Sequence, residues 1–333
     1  MSLTTHKPRR FRLQRSELAV PATSPHFFPK AAKGDADVVF LDLEDAIAPE
    51  RKLEARANAI AALNEVDWGG KTMAVRVNGL DTPWGFRDIC EVAQRCPRLD
   101  LVMLPKTGTA FDVQFVDALL GQIERELGRE EPFGLEVLIE TALGMSNAEQ
   151  IAAACPRLEA MIFGVGDYSI SMQSGDVLFG SASAKYAILT AADKSGARER
   201  HWNDKWHYAL ARMANACRAY GLRPIDGPYV DFDDRDGYRA SAERAAALGF
   251  DGKWAIHPSQ VAMANEIFSP SAEQIDWAHR LVEAMHEATR QGRGAASFEG
   301  KMIDMAHFKV AETVRRKHDA ISGRDQRNRE DGR

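Results

Sequence analysis

Cysteine is scarce in this chain of 333 residues, and the four present, Cys90, Cys96, Cys155 and Cys217, form no CxxC pair. That excludes a disulfide scaffold and a thiolate zinc site, so the thiols are expected to be reduced. No apolar run approaches the roughly 20 residues of a membrane span, and the N-terminus lacks the apolar stretch of a secretory signal, so a cytoplasmic, membrane-free protein is expected. Positive charge is also in short supply. With 43 Lys and Arg against 48 Asp and Glu, the net charge is −5, which gives no broad basic field for nucleic acid. Small molecules are the expected partners. The basic segment around His6 to Arg12 reads as a solvated tail.

What the chain does have is eight short apolar runs, at 17–20, 37–41, 72–76, 99–104, 135–139, 160–163, 223–225 and 253–256, alternating with segments of helical spacing. Alternation of this kind predicts parallel strands joined by crossover helices, here an α/β fold of the (β/α)8 TIM-barrel type. A short echo marks two helix-to-strand junctions: Cys96-Pro97-Arg98-Leu99-Asp100 and Cys155-Pro156-Arg157-Leu158-Glu159, where each proline ends a helix. The expected organisation is a barrel over residues 1–268 and a C-terminal helical lid or oligomerisation segment over 269–333. Within these, 169–204 reads as a long covering loop and 323–333 as disordered.

Each run stops at a polar tip, and in a barrel those tips converge on one mouth. Glu140 and Asp167 end consecutive runs, so their carboxylates are expected a few ångströms apart, a repulsion that a cation or a proton must relieve. Oxygen ligands without cysteine favour Mg²⁺ or Mn²⁺ over zinc; the alternative is a pair of salt-bridged rim residues. Arg76 ends the third run, either as a counterion or as a fork for a carboxylate or enolate oxygen. Asp42, Glu44 and Asp45 crowd the end of the second run, where they could fix Arg76 or a metal-bound water, or serve as charge at a helix N-terminus. Lys30 and Lys106 suit phosphate or carboxylate binding, or are plain surface lysines. His257 is a base or a rim residue.

Taken together, segment 16–21, Asp42-Leu43-Glu44-Asp45, Arg76-Val77-Asn78-Gly79, Pro105-Lys106, Ile139-Glu140-Thr141, Gly166-Asp167-Tyr168, Asp226-Gly227-Pro228 and the stretch from Lys253 to Pro258 resemble the HpcH/HpaI aldolase and citrate lyase β-subunit superfamily. Asn78-Gly79-Leu80-Asp81-Thr82, His201-Trp202 with Trp206, and the stretch from Gly300 to Asp304 point to its malyl-CoA-cleaving branch. The resemblance implies Mg²⁺ on Glu140 and Asp167, with Mn²⁺ as the alternative ion. It also implies Arg76 on a thioester or enolate oxygen, and Asp304 as an acid/base group supplied by the lid of a neighbouring subunit in a homo-trimer or hexamer. Acyl-CoA is expected against Ala19, Ser24, Lys30, Gly166, Asp167, Ile256 and His257, with glyoxylate as the second partner. The implied reaction is reversible cleavage of (S)-malyl-CoA, extending to β-methylmalyl-CoA. The rivals are a malyl-CoA thioesterase, a citramalyl-CoA lyase and a non-catalytic CoA-binding scaffold. Ala19 and Ser24 depart from relatives that carry an aromatic residue and an arginine there, and the loop at 175–184 departs as well.

Overall fold

The computed structural model describes residues 9–175, 180, 183 and 185–330. Strands β1 (Ser16–Pro21), β2 (Val38–Asp42), β3 (Thr72–Arg76), β4 (Leu101–Leu104), β5 (Gly134–Ile139) and β6 (Leu158–Phe163) follow one another in the sheet. A short antiparallel hairpin of β7 (Ala187–Leu189) and β8 (Arg200–Trp202) intervenes before β9 (Arg223–Asp226) and β10 (Gly252–Ala255). The sheet is a closed barrel: β6 pairs with β9, β9 with β10, and β10 returns to β1 through Glu17 opposite Trp254, every barrel pairing being parallel. It is the expected TIM barrel.

Both faces of each strand are covered, which is why the runs read as continuous hydrophobic stretches. The inward face keeps a period of two. Val38 and Phe40, Leu101 and Met103, Ala160 and Ile162, with Ala74, Leu138, Ile225 and Trp254, make one interior cluster, and Ala19 packs against it. The same alternation continues outward to the mouth. Ala74 is followed on its face by Arg76, Phe40 by Asp42, and Leu138 by Glu140, so the stripe that fills the barrel also aims the charged tips.

Four sequence expectations change. The 169–204 stretch is not a bare loop: helix Val165–Ser171 runs into it and the β7–β8 hairpin lies within it. The basic tail is tethered from Arg9 onward, because Arg12 forms a buried ion pair with Glu159 at 2.8 Å; residues 1–8 lie outside the described residues. Position 323 sits in a helix that extends from Met305 to Glu330, since a single glycine lowers helix propensity without breaking the ladder. The C-terminal segment is not purely helical, because strands β11 (Ala296–Phe298) and β12 (Lys301–Ile303) pair antiparallel across Glu299 and Gly300, whose φ angles are 49° and 76°. Two successive positive φ values make the tight turn whose twist suits a hairpin.

The chain divides into two compact units, through Asn265 and from Glu266 onward. The second has its own core, in which Ala278, Leu281, Val282 and Met285 of helix Ala272–Arg290 pack with Ile303 and Ala311. The four cysteines are free thiols. Among the described residues no helix is long and apolar enough to cross a membrane.

Gly227, just past β9, sits where the backbone approaches closely, since a Cβ there would sit 1.9 Å from the carbonyl oxygen of Phe163. Gly227→Ala is therefore expected to lower unfolding stability by more than about 2 kcal/mol, as backbone clashes do. Gly70→Ala, whose Cβ meets nothing within 4 Å, serves as the near-neutral comparison in the same urea titration.

Candidate active site

Arg76 and Asp42 are register partners on adjacent strands, so their inward side chains meet. Nε of Arg76 donates to Asp42 Oδ1 at 2.7 Å and Nη2 to Oδ2 at 2.8 Å, a bidentate pair, while Nη1 lies 3.1 Å from Glu44 Oε2. The guanidinium rests over the rings of Trp254 and Phe40, 5.4 and 5.9 Å from their centroids. Burial opposes its charge, but Asp42 first, then Glu44 and Glu140, hold its pKa above the ordinary guanidinium value. Asp42 takes one edge of the fork. The remaining Nη protons are left for an oxygen arriving from the mouth.

Glu44 is buried and ties this pair to a second cation. Its Oε2 accepts from the backbone N–H of Asp45 at 2.8 Å and its Oε1 binds Nζ of Lys106. Lys106 Nζ also reaches Asp45 Oδ1 at 2.9 Å and Asp167 Oδ2 at 3.3 Å. The turn from Asp42 to Asp45 is pinned from below by Lys52, buried, whose Nζ donates to the carbonyls of Leu43 and Glu44 at 2.9 and 2.8 Å. Asp42 and Glu44 thus both touch Arg76, whereas Asp45 binds Lys106.

Glu140 follows β5 and is buried. Its Oε1 accepts from the backbone N–H of Lys106 at 2.6 Å, a contact that Lys106 reaches with φ at 51°, uncommon for a residue bearing a Cβ. Room for the carboxylate comes from Gly164: a Cβ there would lie 2.4 Å from both Cβ and Oε2 of Glu140. Desolvation pushes the Glu140 carboxyl up to about 8, with Arg76 and the Lys106 N–H pulling the other way and Asp167 adding to the rise. Asp167 lies in the first turn of helix Val165–Ser171, and its Oδ2 is buried with the Lys106 ion pair but no hydrogen bond.

A carboxyl held so far above its usual range beside a buried carboxylate oxygen lacking a hydrogen bond is a donor set that fits a hard divalent cation. No group of three or more His, Cys, Asp or Glu residues among the described residues could cage a metal. Two carboxylates suit Mg²⁺, which keeps water or substrate oxygens in its other positions.

The remaining candidates of the first unit lie on or follow its strands β1, β6 and β10. Ala19 faces inward from β1; Ser24 precedes the short 3₁₀ turn Pro25–Phe27; Lys30 is exposed on helix Phe28–Lys33. Gly166 adjoins Asp167. Ile256 donates its N–H to Gln260 Oε1 at 2.8 Å, and the exposed His257 stacks on Phe232 and meets Ser259 Oγ at 2.8 Å through Nδ1. In the second unit, Asp304 is exposed and caps helix Met305–Glu330: its Oδ1 accepts from Ala306 N at 3.0 Å and lies 2.8 Å from His307 Nδ1. The divergent loop at 175–184 falls largely outside the described residues. Sequence reasoning missed Lys52, Gly164 and the bridging geometry of Lys106, and it read Glu17 and Glu136 as members of apolar runs. The period of two from Glu136 through Leu138 to Glu140 was the signal that all three share the inner face.

With no metal bound, the raised Glu140 pKa has a definite sign in stability. From about 4.5 up to about 8 the unfolded chain has released a proton that the folded chain keeps, so stability falls as pH rises through that window. Melting curves in a chelator are expected to show a steeper pH-dependent loss of Tm for the wild type than for Glu140→Gln; parallel slopes would remove Glu140 as the source.

Residues 15–258 match the family model HpcH/HpaI aldolase/citrate lyase. A relative from Cereibacter sphaeroides named L-malyl-CoA/beta-methylmalyl-CoA lyase is 45% identical over 97% of this chain and 100% of its own length. A second protein of that organism, named (3S)-malyl-CoA thioesterase, is 36% identical over 92% of this chain and 95% of its own. Among solved structures, the protein CitE from Mycobacterium tuberculosis in complex with magnesium, acetoacetate and coenzyme A is similar at a TM-score of 0.66 and 30% identity, covering 92% of this chain and 98% of that one. A barrel with its charged tips at one mouth and these likenesses agree: the chain belongs to the HpcH/HpaI aldolase/citrate lyase family.

Proposed function

We propose that the chain is a divalent-metal-dependent carbon–carbon lyase that cleaves (S)-malyl-CoA reversibly to acetyl-CoA and glyoxylate, and β-methylmalyl-CoA to propionyl-CoA and glyoxylate. The observation that carries this reading is the buried Arg76 fork, locked on one edge by Asp42 and facing the carboxyl of Glu140. Breaking or forming a bond next to a thioester passes through an enolate, and a preorganised cation is the group that lowers its cost. Greater likeness to the lyase, 45% against 36% for the thioesterase, favours cleavage over hydrolysis.

Glu140 and Asp167 would hold Mg²⁺, or Mn²⁺ in its place; such an ion supplies Lewis-acid polarisation of an aldehyde oxygen. Arg76 holds the thioester oxygen and stabilises it as charge develops there. Lys106 keeps the Asp167 and Glu44 carboxylates in place. Asp304 takes a proton from the acetyl-CoA methyl group in condensation and returns it in cleavage. Its bond to His307 holds its pKa below the usual carboxylate range, so it is ionised before it takes the proton. The C-terminal unit of a neighbouring subunit in a trimer or hexamer would deliver it. Ala19, Ser24, Lys30, Gly166, Ile256 and His257 line the proposed acyl-CoA path, where the small Ala19 and uncharged Ser24 would alter thioester preference.

Incubation with (S)-malyl-CoA and product identification by mass spectrometry tests the reaction: acetyl-CoA with glyoxylate supports it, and free malate without glyoxylate means hydrolysis. Asp304→Asn is expected to lower kcat by about two orders of magnitude or more while CoA and metal affinity stay unchanged. Mixing inactive Arg76→Ala and Asp304→Asn subunits should recover activity if the acid/base group acts across subunits; exchange without recovery would place its action within one chain.

A further inference from the structure

Beneath the aromatic rings that carry Arg76, the barrel interior holds a second polar layer to which the reaction assigns no task. Glu17 on β1 and Glu136 on β5 are both fully buried. Glu17 Oε2 accepts the indole N–H of Trp254 at 3.0 Å and the side-chain amide of Gln14 at 3.3 Å. The same amide reaches Glu136 Oε1 at 2.8 Å. Arg223, on β9, stands 3.6 Å from that oxygen, lies 3.1 Å from Glu159 of β6 and donates to Gln14 Oε1 at 2.8 Å.

Glu17 Oε1 and Glu136 Oε2 are buried and meet no donor from the rest of the protein. One Gln14 amide nitrogen bonds both carboxyls, and two carboxylates held that close in a buried layer repel each other unless one carries a proton. Burial first, and then the charge of Glu136, hold the Glu17 carboxyl well above its usual range. Burial raises Glu136 as well, but Arg223 opposes that rise.

Trp254 joins this layer to the mouth. Its ring lies 4.6 Å from that of Phe40, centroid to centroid, and the Arg76 guanidinium sits over both. An indole in a packed interior has a single polar handle, and its N–H partner decides which way the ring is turned. Asp42 fixes the edge of the Arg76 fork; the two rings fix its face.

We propose that Glu17 is a positioning residue for the carbon–carbon cleavage: by accepting the Trp254 indole proton it sets the aromatic floor under Arg76, and so the plane in which the guanidinium meets the substrate oxygen. The inference rests on the reading of Arg76 as the group that meets that oxygen.

Steady-state kinetics on the full chain with Mg²⁺ and (S)-malyl-CoA test it, with Tm recorded for each variant. Glu17→Leu is expected to lower kcat about tenfold while KM stays within about twofold, the size of one lost buried hydrogen bond felt in the transition state. Glu17→Gln, whose amide oxygen can still accept from Trp254, should return kcat to within about twofold of the wild type. Trp254→Phe keeps a ring and removes the N–H, so it should match Glu17→Leu, and the double variant should be no slower than either. A purely structural role would lower Tm without this pattern, and multiplicative losses in the double variant would overturn the proposal. So would full kcat in Glu17→Leu or, if that variant does not fold, in Trp254→Phe, provided Arg76→Ala is inactive. An active Arg76→Ala would instead overturn the reading of Arg76 itself.

Discussion

The paired contact of Asp42 with Arg76 is the constraint from which the mouth is built. A guanidinium over two aromatic rings in a barrel interior loses most of its hydration, and a fixed carboxylate is what keeps it there as a cation. Because Asp42 and Arg76 are opposite each other in register on β2 and β3, the pair is set by strand pairing rather than by loop conformation. A site built on strands holds its geometry better than one built on loops. The turn after β2 then brings Glu44 to Arg76 and Lys106 together, so one charge network spans the second, third, fourth and sixth strand ends.

Charge balance explains why such a network suits a cation. Arg76, Lys106 and Lys52 bring three positive charges; Asp42, Glu44, Asp45, Glu140 and Asp167 bring five negative ones when all are ionised. The sum is −2, and without a bound ion Glu140 relieves part of it by holding a proton up to about 8. A divalent ion would cancel the imbalance and let Glu140 ionise.

The barrel was legible because each buried strand is a short apolar run ending in a polar residue, and the two fold levels agree on where the run stops. Asp42, Arg76 and Glu140 stand at strand ends as that pattern predicts, whereas Asp167 lies four residues past β6 in the first turn of a helix. Glu17 and Glu136 were not legible, because a carboxyl inside an apolar run looks like an exception to it until the cross-barrel partner is known, and Gln14 lies 122 residues from Glu136. Lys106 met the same limit: its acidic partners Glu44 and Asp45 lie 62 and 61 residues away. The C-terminal hairpin was hidden because Glu299 at positive φ does not announce a turn as Asn-Gly would. The role proposed for Asp304 rests on family resemblance, since a helix-capping aspartate carries no chemical signature of its own.

The central claim is that Glu140 and Asp167 close on one divalent ion in front of Arg76. A crystal soaked with Mn²⁺ and glyoxylate, measured at a wavelength where manganese scatters anomalously, tests it directly. The account predicts one strong anomalous peak bonded to a carboxylate oxygen of each residue, with glyoxylate completing the coordination. A peak elsewhere, or both carboxylates turned away from an ion bound in the mouth, would contradict it.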